Sequence, residues 1–109
     1  MSKRVVDYKG NVYYYNDQGQ FHRLDGPAVE YSIGHLHWYQ NGNRHRTDGP
    51  AIERNDGSKF WYQNGQLHRL DGPAREYADG SKEYWIGGVT YSETEYKFLA
   101  AAITGVINE

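Results

Sequence analysis

Apolar and aromatic positions alternate with polar ones along most of the chain, in short runs separated by glycine-containing turns. That period of two predicts half-buried β-strands. Asn64-Gly65 lies between Ser58 to Gln63 and Gln66 to Leu70, the arrangement of a two-residue type I′ hairpin. Asp79-Gly80 and Asp56-Gly57 read as turns of the same kind, with Ile33-Gly34 in the same slot one unit earlier. Pro73, after Asp71-Gly72, cannot donate to a ladder, so the strand must bend or break between hairpins. Beyond residue 91 the period changes. Tyr96, Leu99, Ala100 and Ile103 follow helical spacing, and Ser92-Glu93-Thr94-Glu95 forms a capping box with Tyr91 and Tyr96 as its hydrophobic staple. With Gly105 as a stop, the pattern predicts a helix from about Glu93 to Thr104, in a segment 92–105 that caps the open end of the sheet. Residues 1 to 8 read as a short first strand or a frayed arm.

The turns recur because the sequence does. His22-Arg23-Leu24-Asp25-Gly26-Pro27-Ala28, His45-Arg46-Thr47-Asp48-Gly49-Pro50-Ala51 and His68-Arg69-Leu70-Asp71-Gly72-Pro73-Ala74 are spaced by 23 residues. Gly19, Gly42, Gly65 and Gly88 mark the same period, as does an aromatic column of Tyr15, Trp38, Trp61 and Tyr84. Four units, the last partial, occupy residues 9–91 of a single domain 1–109. The expected fold is mostly β: an antiparallel meander of 23-residue hairpin repeats closed by a C-terminal capping α-helix.

Treating each turn as two residues sets a register. Gln63 then opposes Gln66, Trp61 opposes His68 and Phe60 opposes Arg69, while Ile52 opposes Trp61 and Glu53 opposes Phe60. Alternation sorts the columns into two faces. Trp38, Trp61, Tyr15 and Tyr84, with Val29, Ile52, Leu24 and Leu70, make the expected buried side. Tyr14, Arg23, Glu30, His37, Tyr39, Arg46, Glu53, Phe60, Tyr62 and Arg69 make the expected wet side.

Composition sharpens this picture. Leu, Ile, Val and Phe number only 19 of 109 residues, but 11 Tyr and 3 Trp replace them, and the net charge is only -2. A thin core of aromatic rings with polar tips follows. A mean hydropathy of -0.94 leaves no apolar run long enough for a membrane span. Without cysteine there is no thiol chemistry or disulfide, and with no leader-like N-terminus the expected location is cytoplasmic.

Trp61-Tyr62-Gln63-Asn64-Gly65-Gln66-Leu67-His68, followed by Asp79-Gly80-Ser81, resembles MORN repeats over roughly residues 9 to 91. Those repeats usually place Gly directly after the His, where this chain has Arg23, Arg46 and Arg69. The His-Arg-x-Asp-Gly-Pro-Ala wording is similar to a MORN-like variant of small bacteriophage and large DNA virus proteins. The resemblance implies a single-layer β-repeat and a binding role. It supplies no catalytic residue, and it implies a host protein as partner, reached in the host cytoplasm and inhibited by occlusion.

The residue chemistry points the same way. A catalytic base needs one optimised copy, whereas the His-Arg-x-Asp set occurs three times, so His22, His45 and His68 read as repeat scaffolding with Tyr15, Trp38, Trp61 and Tyr84. Each imidazole is expected to stack on its aromatic and donate to a loop. His35 and His37 share a strand face near Glu30 and Asp48 but occur in one unit only, so no metal and no cofactor is expected. Asp25, Asp48 and Asp71 read as turn acceptors, and the following glycines as positive-φ positions. The candidate partner-binding set is Tyr14, Arg23, His37, Tyr39, Arg46, Phe60, Tyr62 and Arg69. Its arginine row, one per two strands, suits an anionic partner, and Arg46→Glu with Arg69→Glu is expected to leave the fold intact. A local excess of only two positive charges over residues 44–75 argues against nucleic acid. The expectation is a non-enzymatic protein-binding module. The alternative is a module that sequesters a nucleotide or phosphorylated small molecule, and open edges at residues 1 to 15 allow a homodimer.

Overall fold

The computed structural model of the protein describes residues 2–105. In chain order its strands are β1 (Lys3–Val6), β2 (Val12–Tyr15), β3 (Val29–Glu30), β4 (Leu36–His37), β5 (Tyr39–Gln40), β6 (Asn43–Arg44) and β7 (Ile52–Glu53). There follow β8 (Lys59–Phe60), β9 (Tyr62–Gln63), β10 (Gln66–Leu67), β11 (Arg75–Glu76), β12 (Lys82–Ile86), β13 (Val89–Tyr91) and helix α1 (Glu93–Thr104). Antiparallel pairing links nine strands in the order β1-β2-β3-β4-β7-β8-β11-β12-β13, while β5 with β6 and β9 with β10 form separate hairpins. The result is elongated, 54 × 31 × 19 Å.

Two kinds of turn build it. Asn64-Gly65 has positive φ at both residues (51° and 81°), which is the type I′ turn that the sequence predicts, and Asn41-Gly42 (48° and 81°) has the same form. Gln63 accordingly faces Gln66. The Asp-Gly turns differ. Arg54 N–H donates to Ser58 O (2.9 Å) and Gly57 N–H to Arg54 O (3.0 Å), so the loop has three residues, with left-handed Gly57 (φ 93°) closing it. Asp56 keeps a negative φ and its carboxylate accepts the Ser58 N–H at 2.8 Å. Tyr31 with His35 and Tyr77 with Ser81 close loops of the same length.

That extra residue shifts the expected register by one. Ile52 opposes Phe60 and Glu53 opposes Lys59, not Trp61 and Phe60. Phe60 faces Arg75 on its other side, not Arg69. The turn after β2 is also a three-residue loop, closed by Asn16 N–H to Gln20 O at 2.9 Å. His22 N–H therefore donates to Tyr14 O (2.9 Å), just as His45 does to Trp38 O and His68 to Trp61 O (3.2 and 3.0 Å). Tyr14, rather than Tyr15, stands in the place of Trp38 and Trp61, and Tyr15 pairs with Phe21.

A one-residue slip exchanges faces. Tyr13, Val29, His37, Ile52, Phe60, Arg75 and Glu83 stand side by side across the sheet. Burial on this aromatic face centres on Val29 (1% exposed), Ile52 (6%), Phe60 (9%) and Leu67 (7%), with Tyr62, Tyr77 and Trp85 packed against the last three. Glu30, Glu53 and Glu76 lie on the opposite face with Tyr14, Trp38 and Trp61. The expected buried set therefore divides: Val29 and Ile52 are core, the tryptophans are half-buried on the other face, and Leu24 is 71% exposed.

The first strand is ordered, pairing Lys3 to Val6 with β2. The helix has the expected capping box, Ser92 accepting from Glu95 N–H and Glu95 accepting from Ser92 N–H, and it ends at left-handed Gly105. Only half of its expected apolar set is buried: Tyr96 and Ala100 are inside, whereas Leu99, Ile103 and Phe98 are 39%, 56% and 76% exposed. No helix among the described residues is long and apolar enough to cross a membrane.

Candidate functional site

Every part of the His-Arg-x-Asp-Gly-Pro-Ala wording has a contact. The Arg46 guanidinium carbon sits 3.9 Å from the centre of the Trp38 ring, Arg69 lies 3.8 Å over Trp61, and Arg23 lies 4.0 Å over Tyr14. Cation-π attraction holds each fork flat on its ring. The Nε donates to the aspartate two residues on: Arg23 to Asp25 at 3.1 Å, Arg46 to Asp48 and Arg69 to Asp71 at 2.9 Å. The Nη1 donates to the carbonyls of Pro27, Pro50 and Pro73 at 3.0–3.1 Å. It also meets Glu30, Glu53 and Glu76 at 3.1, 3.6 and 3.3 Å. Bonds at Nε and Nη1 thus hold two of the three nitrogens of each fork.

Gly26, Gly49 and Gly72 are not positive-φ positions, contrary to expectation. A Cβ there would come within 2.7–2.9 Å of the guanidinium carbon, so any side chain would have to displace the arginine from its place. Ala28, Ala51 and Ala74 are fully buried, and their carbonyls accept from Tyr14, Trp38 and Trp61 N–H.

The histidines tie one turn to the next. His22 Nδ1 accepts from Asn41 N–H, His45 from Asn64 N–H and His68 from Gly87 N–H, at 2.9–3.0 Å. Each imidazole thus accepts rather than donates, and its proton lies on Nε2. After the third cluster the pattern is replaced by the helix. Ser92 stands where a fourth arginine would fall, and the Tyr96 ring lies 4.8 Å from Tyr84 instead. Tyr96 Oη donates to Arg69 O (2.6 Å) and accepts from Gly72 N–H (3.1 Å), which docks α1 onto the last arginine loop.

The aromatic face has a different character. Tyr15, Phe21 and Tyr39 form a ladder with centroids 5.2–5.3 Å apart, and His37 stacks on Tyr39 and meets the edge of Tyr31. Arg44 is wedged between Tyr39 and Tyr62, 5.8 and 5.5 Å from their centres. Arg75 lies near Phe60 and Trp85 and reaches Glu83 at 3.3 Å. Glu83 also accepts from Trp85 Nε1 and Tyr77 Oη, and these bonds, the Trp85 bond foremost, hold its carboxyl below the ordinary value. Burial, aided by Arg44, His35 and Arg54, pushes His37 down to about 4, so its imidazole is neutral near pH 7.

The candidate binding residues are thus divided between the two faces. Tyr14, Arg23, Arg46 and Arg69 belong to the arginine face, while His37, Tyr39, Phe60 and Tyr62 belong to the aromatic face. Arg69 rests on Trp61 rather than on Phe60, its expected opposite, and in the same way Arg46 rests on Trp38 and Arg23 on Tyr14. Of the scaffold column, Trp38, Trp61 and Tyr84 stay together, and Tyr15 moves to the aromatic ladder. His35 Nδ1 accepts from Asn55 N–H, and no group of three or more metal-ligating side chains is assembled among the described residues. Sequence reasoning did not single out Glu76, Arg44, Arg54 or Tyr31 for a site. Glu76 was detectable, because it repeats Glu30 and Glu53 at the 23-residue period.

No protein-family model, curated protein or solved structure matches the chain.

Proposed function

We propose that the protein is a non-enzymatic binding module of MORN-like 23-residue units, which presents its arginine face to a protein partner. The observation that carries this reading is the row of Arg23, Arg46 and Arg69 clusters, built alike and rigid, with the Asp25, Asp48 and Asp71 side chains 78–88% exposed. A stiff surface loses little side-chain freedom on association. The ion pairs support a partner of opposite sign to the one expected from sequence. Each guanidinium is already engaged by two carboxylates, so every cluster carries one net negative charge. The aspartates are the exposed members of the clusters and form the acidic rim. A partner with cationic groups at matching intervals of ~10 Å, two strand spacings, fits that rim. The viral flavour of the motif makes the partner a host protein, which this chain inhibits by covering it.

The test is affinity capture with wild type and with a variant carrying Asp25→Lys, Asp48→Lys and Asp71→Lys. A protein retained by the wild type, released by high salt and lost to the variant is the expected result. Retention of the same proteins by both, or of none by either, overturns the reading.

One observation favours a second reading, binding of a nucleotide or phosphorylated small molecule. Arg44 and Arg54, on the aromatic face, have no carboxylate within salt-bridge distance among the described residues, unlike Arg23, Arg46, Arg69 and Arg75.

A further inference from the structure

Near the middle of the aromatic face is a cavity of about 370 Å³. Tyr31, His35, His37, Ile52, Arg54 and Phe60 line it. Ile52 and Phe60 are the buried residues of that lining, and they give the site an apolar base. Tyr31 and His37 meet edge to face at 5.2 Å and supply aromatic walls. One feature is left open by the fold: among the described residues the exposed Arg54 guanidinium has no carboxylate within salt-bridge distance, which leaves a free cation beside an apolar, aromatic-walled cavity.

We propose that this cavity binds a planar aromatic ring carrying one phosphate, as in a nucleoside monophosphate, with the ring over Ile52 and Phe60 beside the Tyr31–His37 pair and the phosphate on Arg54. The proposal rests on the second reading above and gives it a location. An apolar base with aromatic walls takes a ring, and an unpaired guanidinium at the same site takes an anion through a bidentate contact. One lining arginine matches one phosphate. The neutral His37 leaves the charge of the site to Arg54. The corresponding place one unit on is closed to an anion, since Glu83 neutralises Arg75 there.

Titration calorimetry of the full chain with adenosine monophosphate, phenyl phosphate, adenosine and inorganic phosphate tests this. The two ring phosphates should bind, and adenosine or phosphate alone should bind at least tenfold more weakly. Arg54→Glu should weaken the ring phosphates at least tenfold. Arg4→Glu, which makes the same charge change on the exposed first strand, should leave them within twofold. If adenosine monophosphate binds but the two variants behave alike, nucleotide binding stands and this site falls. Inorganic phosphate binding as tightly as the ring phosphates also overturns the proposal. If no phosphate compound binds, the site and the second reading fall together.

Discussion

The two faces of this sheet are made by the same strands and obey different rules. On the arginine face three clusters are near copies, each donor of the fork that has a neighbour is paired, and each glycine is there to admit a guanidinium. The aromatic face is irregular. Its equivalent positions hold Val29, Ile52 and Arg75, or His37, Phe60 and Glu83, and three buried nitrogens, His37 Nδ1, Arg44 Nε and Arg75 Nε, lack a partner among the described residues, against one, Trp38 Nε1, on the arginine face. One face thus keeps a cluster nearly constant along the chain, whereas the other lets the residues at equivalent positions vary in size and charge.

Reversing charge inside the copied clusters should break this contrast most visibly. Arg46→Glu with Arg69→Glu strips the cations from Trp38 and Trp61, both forks having side chains under 20% exposed, and leaves four carboxylates facing two more. Each reversal removes a half-buried cation from its ring and sets like charge beside two carboxylates, a loss of about 0.5–3 kcal/mol, so the double variant should melt well below the wild type, contrary to the tolerance expected from sequence. A thermal melt by circular dichroism checks it. A double variant that melts near the wild-type temperature would return the arginines to the status of solvated surface.

A smaller effect is expected from Gly49→Ala. No backbone strain is involved, since Gly49 is not at positive φ, but the new methyl would meet the Arg46 guanidinium carbon at 2.8 Å. Displacing the fork from Trp38 should cost about 1–3 kcal/mol in denaturant unfolding, the range for overpacking. Combining it with Arg46→Ala should recover part of that loss, and strictly additive losses would show that the clash is not with the arginine.

The smallest effect belongs to His37. Its folded value of about 4 lies below the ordinary 6.5, so the unfolded chain binds the proton first. Stability from this group is therefore complete above about pH 6.5, declines as pH falls through the interval down to about 4, and levels off below it. His37→Phe should reduce the drop in melting temperature between pH 7 and pH 5. An unchanged drop would mean that the ring is solvated in the folded state.

Much of the local structure was legible in the chain. Asn41-Gly42 and Asn64-Gly65 adopt the turn that their residues predict, Ser92 and Glu95 cap the helix reciprocally, and His45 and His68 face Trp38 and Trp61. These follow from short-range chemistry: an amide side chain tolerates left-handed backbone, and a hydroxyl three residues from a carboxylate can exchange hydrogen bonds with the first helical turn. The docking of the helix was legible only in part. Tyr96 is inside, but its hydrogen bonds to Arg69 O and Gly72 N span 27 and 24 residues, a separation that no local pattern reports.

By itself, then, the sequence determined that strands exist, where most of them turn, and which residues recur together at 23 positions. Tertiary structure decided which residues share a face. Asp56-Gly57 reads as a two-residue loop, but closure by Arg54 N–H on Ser58 O makes it three, and the aspartate spends its carboxylate on the Ser58 N–H instead of turning left-handed. Side chains alternate with a period of two, so that single residue places Trp61 with the arginines and Phe60 with the core, and only the closed hydrogen-bond ladder settles the count.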